Sequence, residues 1–463
     1  MSLKTPKAGL FTKLPILVNP VFAPNSKGNF MENKRQSWSD LWMEEDWWAI
    51  WFAAILTIGV YLNMITHVPR IGKWETNPLD AIPVEIIFPV LVMLLGIGLM
   101  TTLGMILMKE NWKKYIPGFT VIFLLSVISY IFAHQTTVKA WGISYAIWAL
   151  FLGLLISNTI GTPDWLLKGA RSEMFIKTGL ILLGAEILFS KILKLGAPGL
   201  FVAWMVTPTV IIFMWFFGTR WLKMASKHLV IIIAAATSVC GVSAAIATAA
   251  ACRAKKEELT LTVGMTMIFT VTMMISMPAL AKFIGISPEV GGAWLGGTID
   301  STGAVVAAGA LLGENAEKVA AVVKMIQNIL IGFMAFIVAV LWVTKVDQSE
   351  NGPKPSLMEI WYRFPKFILG FVLASLIFSF ILMPVLGGDG VAAILEQTKT
   401  FRGWFFCLAF VSIGLESNFK DLANQLVGGK PIILYLVGQS FNILLTLFAA
   451  WLAFGGILFE KVF

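Results

Sequence analysis

The sequence predicts an all-α, polytopic membrane protein: one helical bundle in which two helices are discontinuous and either cross or re-enter at mid-membrane. Three observations carry this. Of 463 residues, 58% are hydrophobic and only 13% charged, which is more apolar side chain than a soluble core of this size holds, and it is gathered in runs of about 20 residues, enough to cross about 30 Å of hydrocarbon. Residues 234–251 lie among these runs but have almost no bulk, with Thr237, Ser238, Cys240, Gly241 and Ser243 where a lipid-facing helix would carry Leu, Ile or Phe. Residues 291–309 repeat that character, with Gly296, Gly297, Thr298, Asp300, Ser301, Thr302 and Gly303. A Gly with flanking hydroxyls is where a helix can break, and broken backbone at bilayer depth is tolerated only against protein or a watery cavity. A pair of interrupted segments is the sequence pointer to a transporter's binding site.

Taken in order, residues 1–46 are polar and mixed in charge and read as a cytoplasmic N-terminal extension. Residues 47–463 form the transmembrane transporter domain, with 175–343 as its core. The apolar segments fall at 47–66, 86–108, 116–133, 139–158, 175–189, 201–220, 228–251, 259–283, 291–312, 319–343, 364–386, 403–418 and 431–454. That is roughly thirteen spans, of which the two Gly-rich ones either cross or re-enter. Lys109, Lys113 and Lys114, then Lys168, Arg171 and Lys177, then Arg220, Lys223 and Lys227 alternate with loops poor in Lys and Arg, placing the N-terminus inside. Arg253, Lys255 and Lys256 do not fit that orientation if 228–251 crosses fully: either the segment re-enters, or the neighbouring Glu257 and Glu258 mask a weak exception. Residues 344–365 read as a cytoplasmic link. A short echo, Gly184-x-Glu186-x-x-Phe189 and Gly414-x-Glu416-x-x-Phe419, ends two segments of opposite direction, as an inverted repeat requires.

Function classes are narrowed by what is missing. The net charge of +9 sits in short loops, where it sets topology, and forms no basic patch with interleaved aromatics, so nucleic acid is not expected. Cys240, Cys252 and Cys407 have no metal-ligand spacing and read as small buried hydrophobes. No signal peptide is expected at the N-terminus. His67, His134 and His228 stand at segment ends without a nucleophile or carboxylate at a useful spacing, and there is no His-Glu-x-x-His, nucleophile elbow or P-loop. No enzyme activity, cofactor or metal is expected.

Asp300 is the sharpest candidate, since a carboxylate inside a membrane segment marks an ion or proton pathway by default. It could also cap the half-helix that follows. Thr237 to Ser243 and Gly297 to Gly303 would either offer half-helix N-termini and hydroxyls to an anion or serve close helix packing. Lys324 would either snorkel to the interface or act as counter-charge to Asp300 or an anion. Gln327 and Asn328 lie a turn further along the same helix face. Asn158, Gln439 and Asn442 are further polar residues in apolar segments, and Glu186 and Glu416 read as interfacial.

Three stretches resemble the sulfate exporter family (UPF0324-like), bacterial inner-membrane proteins. Residues 236–249 are similar to that family's Gly-Thr-Ser-Ile-Cys-Gly-Ala-Ser-Ala-Ile-Ala-Ala signature, and Lys255-Lys-Glu-Glu258 to the charged run after it. Trp294-x-Gly-x-Thr-Ile-Asp300, with 305–309 and Val323-Lys324, resembles a second signature, and Leu182-Leu-Gly184 a third element. The chain departs from the family's pattern at Asp300-Ser301, Gln327 and Glu186, where His-Asp or His-Glu, Arg and Arg are usual. The resemblance implies a sodium/proton antiporter-like inverted-repeat bundle in the bacterial inner membrane.

The expected function is therefore a secondary-active transporter, exporting a small inorganic or sulfonate-like anion and coupled to H+ or Na+. The binding set is Thr237, Ser238, Cys240, Gly241, Ser243, Gly297, Thr298, Ser301, Thr302, Gly303, Gln327 and Asn328, with Asp300 and Lys324 as the ion-coupling pair. The expected partners are the anion, the coupling ion and the lipid bilayer, with a homo-oligomer left open. An ionised Asp300 would repel an anion unless it is protonated, paired or displaced; failing that, a cation/proton antiporter is the alternative, and a passive anion channel is the other.

Overall fold

A computed structural model describes residues 39–140, 144–187, 189–342, 344, 357–358, 361, 364–420 and 429–460. Most of the expected N-terminal extension and of the 344–365 link lies outside the described residues. The described chain is helical: α1 Glu45–Tyr61, α2 Val84–Leu107, α3 Trp112–His134, α4 Tyr145–Thr159, α5 Ser172–Glu186, α6 Phe189–Phe216, α7 Lys227–Ser238, α8 Gly241–Cys252, α9 Lys256–Phe283, α10 Pro288–Thr298, α11 Thr302–Leu312, α12 Glu314–Leu341, α13 Phe367–Ile377, α14 Met383–Glu416 and α15 Lys430–Phe454.

Seven described helical runs are long and apolar enough to cross a membrane. One of them, Phe367–Glu416, is two helices reversing at Gly387, whose φ of 70° lies in the left-handed region that glycine adopts without strain. The reversal is visible against α5. Along α13, Gly370 meets Ile181 and Phe371 meets Gly184, so the two run parallel. Along α14, Arg402 meets Glu186 and Glu416 meets Ser172, so those two run antiparallel. The bulky residues that a membrane would cover are exposed, such as Leu95 and Leu99 on α2, at 70% and 79%. Of the roughly thirteen expected segments, these seven runs are the ones long enough among the described residues; α4 and α5 have 15 residues each, and the two Gly-rich segments take the re-entrant alternative.

Both Gly-rich segments are re-entrant hairpins. Ser226, just before α7, bonds Glu258, in the first turn after the α8–α9 link, so 227–252 enters and leaves at one face. Two 12-residue helices reach only about 18 Å each. For the second segment, Gly292 lies against Ala316 and Gly296 against Ala320, so α10 runs parallel to α12, whereas Gly309 lies against Glu317 and Ala320, so α11 runs back. Gly291 and Leu312, at the two open ends, touch. The hairpins enter from opposite faces, because α9 connects them and carries the chain across. Arg253 and Lys255 thus share a face with Lys227, which resolves their misfit with the other basic loops.

Around the hairpins pack α6, α9, α12 and α15; α1 to α5, α13 and α14 form the other side, meeting the hairpins chiefly through α11.

Candidate functional site at the hairpin tips

The two tips meet end to end. The Gly241 N–H at the start of α8 donates to the Asp300 carbonyl in the α10–α11 break at 2.6 Å. A Cβ on Gly241 would stand 2.0 Å from Thr266 Cγ2 and 3.3 Å from Asp300 Cβ, so only glycine permits this approach.

Each tip contains one helix C-terminus and one N-terminus, and the two kinds of end are treated differently. The C-terminal carbonyls are sealed by side chains. Asn442 Nδ2 donates to Thr237 O at 3.0 Å, and Gln327 Nε2 donates to Ser238 O at 2.9 Å and to Gly297 O at 3.0 Å. Gln439 Nε2 donates to Thr298 O at 3.2 Å. Lys324, 1% exposed, donates its ammonium to Val239 O and, at 2.7 Å, to Gln327 Oε1. A cation at the C-terminal, negative end of α7 is the favoured polarity. Lys324 therefore does not snorkel, and no direct ion pair joins it to Asp300.

The N-terminal ends stay open. Val242, Ser243, Thr302, Gly303 and Ala304 have no main-chain hydrogen-bond partner for their N–H groups among the described residues, as the first turn of a helix requires. Neither Cys240 nor Ser301, the residues before α8 and α11, caps its helix with its side chain. Ser243 is exposed although it lies about 15 Å along α8 from the Arg253 end. Asn328 Nδ2 donates to Thr302 Oγ1 at 3.0 Å, and its buried Oδ1 has no partner. Gly303 looks onto Ile413 of α14 and Ile176 of α5, so this end of α11 faces the other half of the bundle.

Several expected site residues have different tasks. The hydroxyls of Thr237 and Ser238 bond back to Ile233 O and Ala234 O of their own helix. Gln327 spends its amide on the tips and on Lys324. Asp300 does not cap α11, since Ser301 holds the N-cap position; its carboxylate accepts from Tyr435 on α15, whose ring stacks on Phe269 of α9 with centroids 4.6 Å apart. The carboxylate thus turns toward α9 and α15, whereas Gly303 faces α5 and α14. Thr298 Oγ1, Thr266 Oγ1 and Gln439 Oε1 are buried without a partner.

A second polar cluster was not legible. Arg402 lies between Glu317 and Glu186, at 2.8 Å from each; the Glu186 contact is an ion pair outside hydrogen-bond geometry. All three side chains are at most 9% exposed; Glu186 and Glu416 each end a helix, and Glu416 accepts from Ser172 at 2.8 Å. Cavities of about 390 and 470 Å³ flank Arg402, the first bounded by Lys282, Glu314 and Tyr145 and the second by Arg70, His134 and Lys399.

The family described as Conserved hypothetical protein 698 matches residues 117–435. The UPF0324 membrane protein RB9488 of Rhodopirellula baltica is 55% identical over 385 residues, 83% of this chain and 71% of that one. The chain belongs to the UPF0324 membrane protein family. A UPF0324 membrane protein of Nitratidesulfovibrio vulgaris is 53% identical, over 77% of this chain and 62% of its own length. The UPF0324 inner membrane protein YeiH of Escherichia coli is 24% identical, over 74% of this chain and 92% of its own. No solved structure matches. As a UPF0324 member with seven apolar helical runs long enough to cross, the chain is a multi-pass membrane protein.

Proposed function

We propose that this UPF0324 protein is a secondary-active transporter that exports a small inorganic or sulfonate-like anion across the bacterial inner membrane by alternating access. The observation that carries this is the asymmetry of the tips: the carbonyls of Thr237, Ser238, Val239, Gly297 and Thr298 are covered by an amide or ammonium, while past Gly241 the first N–H groups of α8, and those of α11, have no main-chain partner among the described residues. Two uncovered helix N-termini favour negative charge, and exposed Ser243 gives one of them an opening. Asp300 is bonded by Tyr435 of α15, away from the α11 end that faces α5 and α14, so an anion at that end would not be in direct contact with its carboxylate. The face carrying Lys223, Lys227, Arg253 and Lys255 is cytoplasmic by its positive charge.

The hairpins with α6, α9, α12 and α15 would move as one body against α1 to α5, α13 and α14, carrying the tips from one face to the other. With no P-loop in the sequence, the cycle would be driven by an ion gradient or by the substrate's own gradient, of which we propose the ion gradient. The test is flux in proteoliposomes: labelled sulfate, sulfite and a short alkyl sulfonate, offered under an imposed pH or Na+ gradient. Accumulation above equilibrium is expected for at least one. No uptake above protein-free vesicles under either gradient would overturn the proposal, and equilibration without accumulation would mark a passive channel.

A further inference from the structure

The Asp300 side of the tips holds something the anion reading does not use. Four oxygen-bearing residues are neighbours there: Asp300 in the α10–α11 break, Thr298 at the end of α10, Gln439 on α15 and Thr266 on α9. Direct contacts tie these elements to one another. Tyr435 bonds Asp300, and Gln439, one turn further along α15, donates its Nε2 to Thr298 O at 3.2 Å. That donation fixes Oε1 as the free atom of the amide. Thr266 Cγ2 and Asp300 Cβ both lie within 3.3 Å of one point beside Gly241.

All four residues are at most 4% exposed, and Thr298 Oγ1, Gln439 Oε1 and Thr266 Oγ1 have no hydrogen-bond partner. Buried polar atoms without partners are rare and call for an unseen water or ion. Three neutral oxygens around one carboxylate form a hard, all-oxygen donor set of single negative charge. Among the described residues no group of three His, Cys, Asp or Glu surrounds it, which argues against a divalent or soft metal. The unwound backbone between α10 and α11 is also the kind of place where a transporter coordinates a cation.

We infer that Asp300, Thr298, Gln439 and Thr266 form a sodium site. It rests on the transporter reading for its purpose, as the coupling-ion site, but not for its existence. Sodium bound there neutralises Asp300 and ties the α10–α11 tip to α9 and α15. Tip geometry at Gly241, and with it the open amides of α8 and α11, then depends on the ion.

The experiment uses the full-length protein in detergent. Thermal unfolding is measured in NaCl, KCl and choline chloride at equal ionic strength. Sodium alone is expected to raise Tm by about 5 °C or more at saturation, with a saturable dependence. Gln439→Leu and Thr298→Val should each raise the half-saturating sodium concentration by at least tenfold, whereas Thr298→Ser, which keeps the oxygen, should leave it within about threefold. Equal Tm in all three salts, or an equal rise with potassium, overturns the inference, and the wild-type comparison decides even if a variant fails to fold. The proteoliposome assay separates the two proposals. Anion accumulation driven by a proton gradient with no sodium present overturns the sodium coupling and leaves the transporter reading. A saturable sodium shift without flux of any anion upholds the site and overturns that reading.

Discussion

Gly241→Ala tests the meeting of the tips directly. The added methyl would stand 2.0 Å from Thr266 Cγ2 and 3.2 Å from the Asp300 carbonyl, which accepts the 2.6 Å bond from Gly241 N. Ordinary contact begins at 3.4 Å, so one tip or α9 must move by more than about 1 Å, a displacement that close-packed interiors resist. Thr266 cannot simply swing aside, because a β-branched side chain in a helix has few χ1 choices. Overpacking of this kind costs about 1–3 kcal/mol, and loss of the tip bond about 1 kcal/mol more. The better helix propensity of alanine works the other way by up to about 1 kcal/mol. The net expectation is a destabilisation of about 1–3 kcal/mol. Thr266→Ser removes Cγ2 and keeps the hydroxyl, at about 1 kcal/mol for the lost methyl. The double variant should then be more stable than the sum of the singles by about 1 kcal/mol or more, the coupling expected of residues in contact. Unfolding is followed in detergent by tryptophan fluorescence and by the reactivity of the buried thiols Cys252 and Cys407. Strict additivity, or a Gly241→Ala protein as stable as the parent, would refute the end-to-end contact.

The remaining predictions concern topology and the buried charges. In oriented vesicles, cysteines at Ser226 and Arg253 should be labelled by an impermeant thiol reagent from one face, and cysteines at Lys282 and Glu314 from the other; labelling of Ser226 and Arg253 from opposite faces would mean that 227–252 spans. On a background lacking the native cysteines, Ser243→Cys should react from the face of Lys227 while Ala245→Cys, fully buried, stays inert. Arg402→Met leaves Glu186 and Glu317 buried without their partner and should cost about 3–5 kcal/mol in thermal unfolding, most of it recovered when both acids become glutamines. Lys324→Met strips Val239 O and Gln327 Oε1 of their donor, at about 1–3 kcal/mol for each buried acceptor left unmade; anion flux should be lost even where gel filtration shows a folded protein.

Much of the fold was legible because membrane segments announce themselves locally. Apolar runs gave the order of the helices, and the small-residue stretches at 234–251 and 291–309 gave the two breaks. Whether a broken segment crosses or returns is not written in that segment. It depends on where its ends go, and only the Ser226–Glu258 bond and the Gly291–Leu312 contact decide it. The misfit of Arg253, Lys255 and Lys256 with a spanning segment was the one sequence sign of the return.

The site was half legible, and the missing half had a signal of its own. Tyr435, Gln439, Asn442 and Thr446 recur at helical spacing on α15, and Thr262, Thr266 and Thr270 do so on α9, so each polar set lies along one face. A polar stripe on an otherwise apolar helix must face protein or water rather than lipid. Read as stripes rather than as isolated residues, they mark α9 and α15 as the helices that line the tips. Nothing comparable marks Arg402, since Glu186, Glu317 and Arg402 belong to three helices that only the fold brings together. That clamp joins α12 on the hairpin side to α5 and α14 on the other, so any motion of one body against the other at this face must part it. Separating buried charges is costly unless water reaches them, and the two cavities beside Arg402 lie where water would have to enter.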